Sequence, residues 1–176
     1  MTASGAAART SALIPWIALA LAIAVADQFT KWLLARSLAP GEIVQVTGFF
    51  NLVHVFNTGA AFSFLAGAGG WQRAFFIALT IAAVALIVYL LRSHPGERLF
   101  GLGLALILGG ALGNLWDRVT LGHVVDFLDF HAAGWHWPAF NLADSAITVG
   151  AGLLILDTLL ASRRERHRQG AGGAAR

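Results

Sequence analysis

The sequence predicts a mainly α, integral membrane protein: four transmembrane helices with a small extracytoplasmic β-sheet and an interfacial helix. Three observations carry that expectation. Of the 176 residues, 57% are hydrophobic and only 12% charged, with a mean hydropathy of +0.70, which leaves too little polar surface for a soluble domain. Four apolar stretches are each long enough to cross a bilayer as a helix. Between the first two lies a segment rich in β-branched and aromatic residues.

The spans are expected at about 12–34, 74–91, 99–116 and 139–161. With their connections they use nearly the whole chain, so residues 1–162 form one domain and no second domain fits. Arg9, an apolar run and Ala24-Val25-Ala26 ahead of Asp27 also fit a signal peptide. Cleavage there would sever a helix on which Asp27 and Lys31, four residues apart, pair, so the stretch is read as an anchor. The outer insert, about 41–58, is expected to form the sheet, punctuated by Gly41, Gly48 and Gly59. Ala60 to Trp71 is apolar enough to lie along the interface, with Trp71 at headgroup depth. A further outer segment, Val119 to Trp137, joins the last two spans, and 163–176, basic and then rich in Gly and Ala, is expected to be a disordered cytoplasmic tail.

With no cysteine, a disulfide framework, a thiolate metal site and a Cys nucleophile are excluded. The net charge of +3 does not signal nucleic acid, because the basic residues flank apolar runs rather than interleave with aromatics. They signal topology instead. Eight of them (Arg9, Arg92, Arg98, Arg163, Arg164, Arg166, Arg168 and Arg176) fall on the side of the termini and middle loop; four (Lys31, Arg36, Arg73 and Arg118) fall on the other. Both termini are therefore expected in the cytoplasm.

That topology gathers polar residues at the outer ends of three helices. Asp27 with Lys31, Asn114 with Arg118, and Asn141 with Asp144 are three or four residues apart, so each pair shares a helix face. Asp144 lies about six residues past Pro138, roughly 9 Å of helix rise, just below the outer surface. Asp126 sits in the apolar run Val124-Val125-Asp126-Phe127, where burial would raise its pKa. If Asp126 and Asp144 meet, repulsion makes them share a proton, so that one carboxylate activates water and the other protonates the departing group. Spacing alone fits equally well a role for these carboxylates as helix caps or partners of Arg118 and Lys31.

The other candidates are weaker. Asp117 and Asp129 read as solvated loop charges or salt-bridge partners, and Asp157 lies about 20 Å along the helix from Asp144, at the far interface. His123, His131 and His136 lack the spacing of a helical metal motif, and Asp27 would hold Lys31 protonated, against a Ser–Lys enzyme. A small proton- or cation-coupled carrier is the rival class, but it needs ionisable groups through the depth of the bundle. The second span has none.

Four stretches, in order over nearly the whole chain, resemble the motifs of the lipoprotein signal peptidase (signal peptidase II) family. They are Asp27-Gln28-Phe29-Thr30-Lys31; Asn57-Thr58-Gly59-Ala60-Ala61-Phe62-Ser63; Gly113-Asn114-Leu115-Trp116-Asp117-Arg118 with Val124-Val125-Asp126-Phe127; and Phe140-Asn141-Leu142-Ala143-Asp144-Ser145. No position in them departs from the family pattern. The resemblance implies an aspartic endopeptidase of the bacterial inner membrane that cuts lipid-modified prolipoproteins before a diacylglyceryl-cysteine, with neither metal nor cofactor; membrane lipids are expected as further partners and the chain is expected to be a monomer. It implies a catalytic pair at Asp126 and Asp144, surrounded by Asp27, Lys31, Asn57, Asn114, Arg118 and Asn141, with the sheet and interfacial helix around the substrate.

Overall fold

In the computed structural model, residues 3–59 and 70–173 are described, with side chains over 13–59 and 70–163. The chain begins with α1 (Ala3–Ser37), continues through strands β1 (Ile43–Thr47) and β2 (Phe50–Asn57), and then forms α2 (Trp71–Ser93) and α3 (Arg98–Thr120). Strands β3 (Val124–Ala132) and β4 (Trp135–His136) precede α4 (Leu142–Gly173). Four stretches have the length and hydropathy of membrane spans: Leu13–Ser37, Trp71–Ser93, Arg98–Thr120 and Leu142–Arg163. α3 is the central helix, 56% buried along its apolar stretch against 17% or less in the others. It packs on the other three helices, and small residues let the backbones approach. A Cβ on Gly150 would come within 2.6 Å of the Gly103 carbonyl, and one on Gly113 would come within 2.5 Å of the Asp27 carboxylate.

α1 ends where Pro40 makes the preceding residue unfavourable in a helix, and Gly41, at φ 82°, turns the chain back. Its N–H donates to the His54 carbonyl at 2.8 Å, which starts the hairpin. The sheet is antiparallel in the order β1-β2-β3-β4. β3 and β4 turn at Ala133 and Gly134, both at positive φ (49° and 80°), the backbone that a two-residue hairpin matched to strand twist needs. Val125 and Phe127 on β3 pack with Leu34 and Leu38 of α1, fastening the sheet to the bundle.

Three features differ from the sequence reading. The outer segment 119–137 supplies two strands as well as the end of α3. The fourth helix begins at Leu142 rather than 139, because the Phe140 backbone pairs with Leu128, its N–H donating at 3.0 Å and its carbonyl accepting at 2.8 Å. α4 is also continuous to Gly173, past the point where composition predicts a disordered tail; Arg, Glu and Gln in 163–169 are good helix formers. The expected interfacial helix falls on 60–69, outside the described residues, and Trp71 opens α2.

Candidate active site

The outer end of α4 is built around Asn141. As the residue before the helix, Asn141 accepts the Asp144 N–H on its Oδ1 at 2.9 Å, while an Asp144 oxygen accepts the Asn141 N–H at 3.3 Å. This reciprocal pair is a capping box with an acid at the third helical position. The amide of Asn141 points the other way and donates to Asp126 Oδ1 at 2.7 Å. A residue with no solvent exposure thus holds two carboxylates that lie 18 residues apart in sequence (144 minus 126). Asn114 completes the frame, donating to Asp144 at 2.8 Å and accepting from Asn141 at 3.2 Å. Asn57, at the end of β2, donates to the other oxygen of Asp126 at 3.0 Å.

Behind Asn114 lies a second, fully internal cluster. Lys31 Nζ is 2.8 Å from Asp27, 2.8 Å from Asp117 and 3.0 Å from Asn114 Oδ1, so its three N–H donors have three acceptors. Asp27 also accepts the Ala143 N–H at 2.9 Å, taking up a free donor in the first turn of α4. Asp117 accepts from Gln28 at 2.8 Å and from the Val125 N–H at 3.2 Å, so it ties α1 and α3 to the start of β3. Every buried polar side-chain atom among the described residues has a partner.

Asp126 and Asp144 line a cavity of about 700 Å³ together with Asn57, Asn114, Arg118 and Phe140. Arg118 hydrogen-bonds to neither carboxylate; it donates to the Gly59 carbonyl at 3.0 Å and to Asn114 O at 3.4 Å. Asp126 is 2% exposed. That burial, with the Asp144 charge next in weight, pushes its carboxyl up to about 7, and the bonds from Asn57 and Asn141 offset only part of the shift. An acid poised at neutrality beside a second carboxylate, in one cavity, suits hydrolysis by acid and base.

A family model described as signal peptidase (SPase) II matches residues 19–160. The chain belongs to the signal peptidase II family. It is similar to the lipoprotein signal peptidase of Paraburkholderia phytofirmans, at 56% identity over 94% of this chain and 96% of that one. The corresponding protein of Cupriavidus necator is 60% identical over 90% of each chain. Among solved structures it resembles a bacterial membrane enzyme determined by the in meso method at 2.3 Å, with a TM-score of 0.75 and 33% identity over 84% of this chain and 89% of that chain. As a signal peptidase II it is an aspartic-type endopeptidase and a multi-pass protein of the bacterial inner membrane.

All eight residues singled out from the sequence of this signal peptidase II belong to one connected region. Two more residues, not among those eight, join it: Asp117, 1% exposed, and Gln28. Asp117 falls on the side of the sequence alternatives that made it a salt-bridge partner. The i,i+3 spacing from Asn114, which places it on the same face of α3, was the available signal. Asp129 bonds instead to Asn51 at 2.8 Å and to His136 at 3.0 Å. His131 stacks on His136 with ring centres 4.9 Å apart, while His123 packs on Phe56.

Proposed function

We propose that Asp126 and Asp144 are the catalytic pair of this signal peptidase II, that it removes the signal peptide from diacylglyceryl-modified prolipoproteins before the lipidated cysteine, and that the pair works near the outer face with both termini in the cytoplasm. The observation that carries the reading is the double hold of Asn141 on the two carboxylates. One group with two fixed bonds sets their relative position without adding charge.

Asp144 takes a proton from a water molecule, and the water oxygen attacks the carbonyl carbon of the residue before the cysteine. Asp126, carrying the shared proton, donates it to the carbonyl oxygen. The C–N bond then breaks, and a proton passes from the pair to the departing cysteine nitrogen. Asn57 and Asn114 keep the carboxyl groups in place, and Arg118, in the same cavity, balances the negative charge that develops. The diacylglyceryl group stays in the bilayer, which concentrates the substrate at the site.

Cleavage of a diacylglyceryl-cysteine precursor by the purified protein, followed by mass analysis, tests the reaction. The released product should begin at the modified cysteine; a cut elsewhere, or equal cleavage of the unlipidated peptide, would contradict it. Since the pair needs its shared proton, kcat/KM should fall as pH rises through about 7, where Asp126 loses it. A rate still rising beyond pH 9 would be incompatible with Asp126 as the acid. The eight-to-four distribution of basic residues supports the orientation, so alkaline phosphatase fused after Arg176 should be inactive in cells.

A further inference from the structure

The cavity at the two aspartates adjoins a second one across two shared residues. Two of its lining residues, Trp137 and Phe140, also line this second hollow, of about 420 Å³, which Phe49, Phe130, His131, Ala132 and Trp135 complete. The Phe130 ring stacks with Phe140 at 5.9 Å and with Phe49 at 6.5 Å. Phe49 and Trp135 are 58% and 61% exposed, a large area of ring surface that the protein itself leaves uncovered. No Asp, Glu, Lys or Arg occurs in 43–72 or in 130–143, so beside His131 the groove presents mainly aromatic rings.

The fold gives this path a direction. Asp126, Leu128 and Phe130 alternate along β3 and share one face, so Phe130 lies about 13 Å from Asp126 at roughly 3.3 Å per residue. On the other side of the two carboxylates, the cavity reaches Thr148 and Val149 on the flank of α4, within a membrane span. That flank suits the signal peptide, which is still in the bilayer. The chain beyond the cut must leave the other way, over β3.

We propose that the aromatic groove is a subsite for the mature segment of the precursor and takes an apolar side chain about three to five residues beyond the bond cut, the reach of an extended chain to Phe130. The inference rests on the catalytic pair assigned above. It makes the enzyme selective on both sides of the lipidated cysteine.

The test uses diacylglyceryl peptides identical through the modified cysteine and serine-rich after it, with one tryptophan moved through successive positions. Tryptophan at the third to fifth position should raise kcat/KM roughly three- to tenfold, through KM, as an aromatic contact of this kind supplies; elsewhere it should have no effect. Phe49→Ser and Trp135→Ser should each bring that ratio close to one, with Phe49→Leu and Trp135→Leu intermediate, while Tyr89→Ser on the exposed side of α2 should keep it. A flat positional profile overturns the subsite, as does a ratio that survives both serine variants. A loss that is equal for all peptides and seen only in vesicles would assign the groove to the bilayer surface, also overturning the proposal. Failure of the catalytic reading looks different: Asp126→Asn would turn over substrate while the positional profile stood.

Discussion

Asp126→Asn and Asp144→Asn are each expected to leave a folded protein that still binds a precursor but cleaves it about 10⁴-fold more slowly. The substitutions keep shape and remove ionisation. Each carboxyl accepts two N–H donors, from Asn57 and Asn141 at position 126 and from Asn114 and Asn141 at position 144. The two donors at each position reach different oxygens, and a side-chain amide keeps only one of those oxygens, so one N–H is left without its acceptor at a cost of about 1–3 kcal/mol. Loss of the acid or base removes the proton transfers themselves. Asp129→Asn and Asp157→Asn should remain active, the first because its partners are Asn51 and His136. Turnover is compared at equal amounts of folded protein, judged by helical circular dichroism and precursor binding. A linked effect should appear in stability. The folded Asp126 carboxyl, at about 7, is raised above its ordinary 3.8, so between those values the native state binds more protons than the unfolded one. Stability should therefore fall as pH rises from about 4 to about 7, and Asp126→Asn should flatten that slope.

The second large effect is on the fold. Lys31→Met is expected to destabilise the protein by about 3–5 kcal/mol, because it leaves buried carboxylates without their cation. Lys31 is 4% exposed and Asp27 and Asp117 are essentially sealed, so water cannot take its place. Asn114 loses a partner as well, which loosens its hold on Asp144. The double substitution Lys31→Met with Asp117→Asn should recover part of the loss, since one of the stranded charges is gone. Thermal unfolding in detergent measures both. A Lys31→Met protein as stable as the parent would show that the cluster carries little of the fold's stability.

The spans were legible because helices facing lipid are apolar on every side, a signal that needs no knowledge of partners. The i,i+4 pairing of Asp27 with Lys31 was legible for a similar reason, since it is local to one helix. β3 was not. Its neighbouring side chains at 124–127 are all buried: Val125 and Phe127 pack on α1, and Asp126 turns to the cavity, so the alternation that marks a strand is hidden. Its partner β2 precedes it by more than sixty residues. Asp117 was underweighted because its contacts come from elsewhere in the chain; Gln28 is 89 residues away. The three-residue spacing of Asn141 and Asp144 marks them only as neighbours on a helix face. Only the later start of α4 makes them a capping box, and that start depends on Phe140 pairing with Leu128.

The most direct measurement is single-turnover cleavage of a diacylglyceryl precursor by Asp126→Asn, Asp144→Asn and the double variant, side by side. Two carboxyl groups that share a proton act as one unit, so the double variant should be no slower than the slower single. Losses that multiply, or robust cleavage by either single variant, would mean that the two aspartates do not work as a pair.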